Sequence, residues 1–166
     1  METNEQEAEK YLPLKDEKKI KLENKTIKKA LGYLSERIKT PDIYLREPEA
    51  VFSYLTMQIG EKEIEFFGML LLNQSNGVID DIIIEEGIEN RAQVYIKKVV
   101  RLILTSPATG VIFYHNHPSG STIFSSSDKK LTEALNQALT AIEIRLIDHI
   151  VIAGTNHASM NSEGLL

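Results

Sequence analysis

The sequence predicts an α/β (α+β) fold in which a mixed central β-sheet is flanked by helices. Three observations carry this expectation. The hydrophobic period switches along the chain in the order helix, helix, strand, strand, helix, strand, helix, strand, strand. The runs at 111–115 and 144–153 are almost continuously apolar, as strands covered on both faces are, and each follows a helix. The 166 residues, 42% hydrophobic and 26% charged, suit one globular core burying roughly two-thirds of its unfolded surface.

Each element has its own signal. Residues 1–19 are polar and charge-rich and predict little order. From Asn24 a helical stripe appears: Ile27, Ala30, Leu31, Leu34 and Ile38 fall at i, i+3, i+4, i+7 and i+11. Lys25, Lys28, Lys29 and Arg37 lie off that stripe, and Thr40-Pro41 stops it. PEAVFSYLTM at 48–57 predicts a second short helix, with proline in its first turn and Gly60 at its end. Residues 1–60 thus form an N-terminal polar tail and helical extension, and 61–166 carry the sheet. IEFFGMLLL at 64–72 and VIDDIII at 78–84 predict two strands, with Asn76-Gly77 as the hairpin signal between them. Gly87 breaks the chain, and VYIKKVVRLIL at 94–104 predicts a helix with Pro107 beyond it. Val111–His115 is the third strand. A helix opens at Ser125 or its neighbours and runs to about Ile142. IRLIDHIVIA at 144–153 is the fourth strand, and His157–Met160 a short fifth.

Composition narrows the function classes. The net charge of −5 weighs against a dedicated nucleic-acid binder, whose footprint is usually basic. Local basic patches remain, on the flank of the first helix and at Lys97, Lys98 and Arg101. The chain has no cysteine, which excludes disulfides, thiolate metal sites and a cysteine nucleophile. No stretch approaches the roughly 20 apolar residues of a membrane span. The N-terminal METNEQEAEK has no apolar core of a signal peptide. The expectation is a cytoplasmic protein with no membrane partner.

The chemistry concentrates in YHNHPSGSTIFSSSD at 114–128. Side chains alternate faces along a strand, so His115 and His117 point one way and Asn116 the other. The turn at Pro118-Ser119-Gly120 lets the chain double back, which brings Asp128, in the first turn of the next helix, toward the imidazoles. Two neutral nitrogens and one carboxylate are a three-ligand zinc set with a fourth position for water. Such a metal would bring that water's pKa to about 7. A bland account also exists for each part. A histidine pair at a strand's end can be mere polar surface, and Ser125-x-x-Asp128 is a helix capping box, with any of Ser125, Ser126 or Ser127 as N-cap. Asp128 can be a ligand on a well-capped helix, so the two accounts are compatible. The HNH nucleases and the zinc deaminases are poor matches, the first because their residues are widely spread, the second because this chain lacks cysteine.

His115-x-His117, seven residues, then Ser125-x-x-Asp128 resembles the JAMM motif of JAB/MPN metalloprotease-like domains. The fuller string HNHPSG, with LIDHIVIAG at 146–154, is similar to the bacterial RadC family, and the resemblance covers roughly the last 110 residues. It implies a JAB/MPN-like sheet flanked by helices in a cytidine-deaminase-like arrangement. It implies Zn2+ held by His115, His117 and Asp128, Glu65 as general base, and Ser125 as hydrogen-bond donor to the oxyanion in metal-assisted hydrolysis. Taken alone, Glu65 reads sooner as an edge residue at the strand's solvent end, like Glu61 and Glu63; the resemblance is what favours the base. Asp148 or His149 is a candidate partner of a ligand imidazole, the alternative being a polar pair satisfied inside the core.

The chain departs from the family pattern in places. Tyr95-Ile96-Lys97-Lys98 stands where the family often has His-Pro-Arg-Glu, Gly87-Ile88 replaces Gly-Thr, and Asn73 stands where aspartate is usual. Residues 1–60 have no evident counterpart of the family's helix-hairpin-helix-like module. The function expected is a zinc-dependent hydrolase of a peptide or isopeptide substrate. The alternatives are a DNA-repair or DNA-processing accessory protein and a non-catalytic metal-binding module. Nothing in the residues specifies the substrate or the oligomeric state.

Overall fold

A computed structural model describes residues 24–33, 48–87 and 96–166. Among these, the elements run α1 (24–33), α2 (Pro48–Ile59), β1 (Phe66–Leu72), β2 (Val78–Glu86), α3 (Ile96–Leu104), β3 (Gly110–Asn116), α4 (Ser126–Thr140), β4 (Arg145–Ala153) and β5 (Asn156–Ser159). The order expected from hydrophobic periods is borne out. Expectations for residues 1–23, for Leu34, Arg37, Ile38 and Thr40-Pro41, and for Val94-Tyr95 lie outside the described residues.

The strands form one five-stranded sheet in the order β2-β1-β3-β4-β5. β1 pairs antiparallel with β2 and with β3, β3 pairs parallel with β4, and β4 antiparallel with β5. The sheet is therefore mixed. The parallel pair needs a crossover, and α4 supplies it. Every residue of β1 and of β3 is buried, which explains why these strands read as unbroken apolar runs rather than alternating ones.

Two cores lie on the two faces. Phe67, Met69, Leu71, Val111 and Phe113 point to one side and pack against Val99 and Ile103 of α3 and Leu131, Leu135 and Leu139 of α4. Leu70, Leu72, Ile112, Tyr114, Ile150 and Ile152 point to the other and pack against Val51, Tyr54, Leu55 and Ile59 of α2. The helices thus sandwich the sheet. On α1, Ile27, Ala30 and Leu31 are half-buried while Lys25, Lys28 and Lys29 are exposed, as the stripe predicts. Leu31 rests on the α2-side core.

Two glycines are required by close approach. A Cβ on Gly68 of β1 would sit 2.3 Å from the Tyr114 ring, its cross-strand neighbour. A Cβ on Gly60 would sit 2.5 Å from the Gly154 carbonyl, where the end of α2 meets the β4–β5 turn. The β1–β2 hairpin uses Asn73 as its clasp: its Oδ1 accepts from the N–H groups of Ser75 and Gly77, both at 2.9 Å, while Asn76 takes a left-handed φ of 62°. The hairpin signal at Asn76-Gly77 is borne out, within a five-residue connection rather than a two-residue turn.

Candidate metal centre

The C-terminal end of β3, the N-terminus of α4 and the interior of β4 meet on the α4 face of the sheet. Alternation along β3 turns His115 to this face and Asn116 to the other. His117 lies one residue past the strand, and its N–H donates to the Ile152 carbonyl at 2.8 Å, which extends the parallel pairing with β4. His115 is 1% exposed and Asp128 0%.

Asp128 is placed by the helix start. Ser125 is the N-cap: its Oγ accepts from the Asp128 N–H at 3.1 Å, and Asp128 Oδ2 accepts from the Ser125 N–H at 2.7 Å. The helix N-terminus favours the negative charge. Of the three candidate serines, Ser125 is the cap, and the capping box and the ligand position are the same residue, as the sequence allowed.

Three acceptor atoms converge here. His115 Nε2 and His117 Nε2 lie 3.3 Å apart, and Asp128 Oδ2 lies 3.8 Å from the first and 3.6 Å from the second. Ligands bound tetrahedrally at about 2.0–2.2 Å sit about 3.3–3.6 Å from one another, so two of these spacings match one ion and the 3.8 Å one is slightly wider. The second nitrogen of each imidazole is engaged elsewhere. His117 Nδ1–H donates to the Ser121 carbonyl at 2.7 Å. A carbonyl only accepts, so this contact puts the proton on Nδ1 and leaves the Nε2 lone pair facing the centre. His115 Nδ1 meets His149 Nε2 at 2.8 Å. The His115, His117 and Asp128 cluster can hold a metal ion.

The two candidates on β4 divide between the two accounts offered for them. His149 faces the metal side and contacts His115. Asp148, the next residue back, faces the other side, where it accepts from the N–H groups of His149 and Asn161 and from Ser159 Oγ. It is the polar group satisfied in the core. Burial still holds its carboxyl above the ordinary aspartate range, against the lowering effect of those hydrogen bonds.

Glu65 lies one residue before β1 and is half-buried. β1 pairs with β3 through Phe67 opposite His115. Continuing that antiparallel register two residues sets Glu65 opposite His117. What holds this segment is Asn116, whose role the sequence did not disclose. Asn116 Oδ1 accepts from the Phe66 N–H at 2.7 Å, and its amide donates to the carbonyls of Lys62 and Ile64 at 3.2 and 3.0 Å. The residue between the histidines thus ties down the peptide units on either side of Glu65. Sequence reasoning also missed Phe124, whose ring is 6.2 Å from that of His115 and 6.0 Å from that of His149, and Thr132. For Thr132 a signal existed: it lies four residues after Asp128, hence on the same helical face.

Residues 45–165 match the RadC-like JAB domain family. The chain belongs to that family. The resemblance read from HNHPSG and LIDHIVIAG is borne out, and the matched span takes in α2 as well as the whole sheet. A UPF0758 protein of Pseudoalteromonas translucida (strain TAC 125) is 40% identical over 134 residues, 81% of this chain and 59% of the relative. One from Janthinobacterium sp. (strain Marseille) is 40% identical over 133 residues, 80% of this chain and 59% of the relative. One from Vibrio cholerae serotype O1 is 36% identical, covering 80% of this chain and 84% of the relative. The chain therefore spans about three-fifths of the length of the first two. Among the described residues, no helix of this RadC-like JAB domain is long and apolar enough to cross a membrane.

Proposed function

We propose that this RadC-like JAB domain is a zinc-dependent hydrolase of amide bonds, peptide or isopeptide. The observation that carries the reading is the convergence of His115 Nε2, His117 Nε2 and Asp128 Oδ2 at tetrahedral spacing, with the far nitrogen of each imidazole held by a partner. Two imidazoles and one carboxylate suit zinc in an open, catalytic site. When bound, zinc supplies a Lewis acid and a water of lowered pKa. Glu65 is the general base: it takes the proton of the attacking water and passes it to the leaving amine. Its anchoring through Asn116 fits that role, because a base works only within hydrogen-bond reach. Ser125 Oγ accepts from the Asp128 N–H, so its own proton is available to Ser127 Oγ at 2.8 Å or to the developing oxyanion of a substrate. Removing one such donor typically lowers turnover about 100- to 1000-fold.

The test is metal content and affinity of the purified chain beside His117→Ala and Asp128→Asn; asparagine keeps an acceptor for the helix cap. The expected result is one zinc per wild-type chain and loss of it in both variants, with hydrolysis across a panel of peptide and isopeptide substrates abolished in parallel. A wild-type chain that fails to retain zinc when supplied with it would overturn the reading.

The alternative, an accessory role in DNA processing, has less support. Lys98 is tied to the Ile84 carbonyl and to Glu85 at 2.6 and 2.7 Å, which leaves Lys97 and Arg101 exposed on α3. Binding that weakens steeply with salt would favour it.

A further inference from the structure

We propose that Thr132 is a positioning residue that sets the tautomer of His115 through His149 and so locks two ligands from different elements into one unit. The inference rests on the zinc site proposed above and deepens it. Three contacts form a chain. His115 Nδ1 meets His149 Nε2 at 2.8 Å, His149 Nδ1 meets Thr132 Oγ1 at 2.5 Å, and Thr132 Oγ1 donates to the Asp128 carbonyl at 2.7 Å. All four residues are buried, at 1%, 0%, 3% and 0% exposure for His115, His149, Thr132 and Asp128.

The last contact gives the chain its direction. A carbonyl oxygen cannot donate, and a hydroxyl has one proton, so the Thr132 hydroxyl proton is directed to the Asp128 carbonyl. Thr132 Oγ1 must then accept from His149 Nδ1–H. His149 packs among the rings of Phe67, Phe113 and Phe124, and a neutral imidazole that donates from Nδ1 accepts at Nε2. Its Nε2 is therefore an acceptor, and His115 must carry its proton on Nδ1. That leaves the His115 Nε2 lone pair turned toward His117 and Asp128, the tautomer a metal requires. Reversing any link would press two acceptors together at 2.5–2.8 Å.

The chain also closes a circuit. It begins at a ligand on β3, crosses β4 and ends on the main chain of Asp128, the ligand on α4. Thr132 sits four residues after Asp128 on the buried helix face, so the helix that presents the carboxylate also dictates the proton position of the imidazole.

The experiment uses the full chain as zinc-free protein, with zinc itself as probe. Nitrogen chemical shifts of the imidazoles report tautomers, and competition with a chelator reports zinc affinity. In the wild type and in Thr132→Ser, His115 is expected in the Nδ1–H form. In Thr132→Val, which keeps the shape and removes the hydroxyl, the Nε2–H form should gain population and zinc affinity should fall about 10- to 100-fold, as loss of such outer partners typically does. Thr132→Ser should bind within about threefold of the wild type. A merely structural role would lower melting temperature without moving the His115 nitrogen shifts. Finding wild-type His115 in the Nε2–H form overturns the proposal whether or not the valine variant folds, and so does a folded Thr132→Val with unchanged tautomer and affinity. If the wild type binds no zinc, the hydrolase reading fails while the tautomer measurement still decides this one.

Discussion

The two faces of the sheet each hold a buried polar cluster, and the clusters are built on opposite plans. On the α2 face the groups close on one another. Asp81 accepts from the hydroxyls of Tyr54 and Tyr114. Asp148 accepts from Ser159 and two main-chain N–H groups, and Asn116 uses both ends of its amide on main chain. On the α4 face the hydrogen bonds run behind the imidazoles of His115 and His117 and direct three acceptor atoms toward a common point. The first plan satisfies its groups within the fold, and the second leaves three acceptors that could hold a metal ion. Neighbours in sequence fall on opposite sides of this divide: His115 beside Asn116, and His149 beside Asp148. Burial of polar residues therefore does not by itself mark function; the direction in which their hydrogen bonds end does.

Substitutions on the two faces should separate chemistry from stability. The largest effect belongs to Glu65→Gln, on the metal side by strand register. Amide turnover should fall about 100- to 10,000-fold, the range for loss of a general base, with zinc content and melting temperature close to wild type. A variant that keeps full turnover would remove Glu65 from the mechanism. Next comes Gly68→Ala on the α2 face. The added methyl would stand 2.3 Å from the Tyr114 ring, which is itself held by its hydroxyl on Asp81 and cannot swing away freely. Burial and the Asp81 carboxylate push the Tyr114 hydroxyl pKa far up, so it remains a donor throughout. Overpacking of this kind costs about 1–3 kcal/mol, read by denaturant unfolding.

Asn116→Ala should break the simple division between faces. It removes three hydrogen bonds to main chain, which predicts a loss of about 2–3 kcal/mol from main-chain groups left unpaired in a largely buried site. It should also lower turnover while leaving zinc affinity within a few-fold, because Asn116 holds the segment of Glu65 and no ligand. Turnover that stays unchanged would mean that Glu65 keeps its position without this anchor. The smallest effect is expected at Asp148. Burial raises its carboxyl above the ordinary aspartate value of 3.8. Folding thus favours the protonated form, whose stabilising contribution is full below pH 3.8 and is lost as the pH rises through the folded-state value. Asp148→Asn stays neutral. Its stability relative to wild type should drift upward by no more than about 1 kcal/mol between acid and neutral pH, and a drift in the opposite direction would show that the hydrogen bonds outweigh burial.

Much of this molecule was legible in its residues. The change from helical to alternating and continuous apolar periods set the element order, because the 3.6 and 2.0 periods are fixed by backbone geometry. The alternation of a strand was enough to put His115 and His117 on one side with Asn116 on the other. The spacing Ser125-x-x-Asp128 announced a capped helix start, and the joint motif announced the family. Each of these depends on residues a few positions apart, where local geometry is decisive.

What only the tertiary structure decided are relations between distant segments. Asn116 reaches back to Lys62, Ile64 and Phe66 because β1 runs antiparallel to β3, and no local pattern encodes that register. His149 and not Asp148 stands behind His115 because the parallel pairing of β3 with β4 slips at Val111/Ile112, which sets His149 beside Phe113 on the face that His115 shares. Thr132 meets His149 only because α4 crosses over the sheet between those two strands. A hydrogen bond is short-ranged and directional, so whether two such groups serve one another is settled only once the packed layers have brought them within reach.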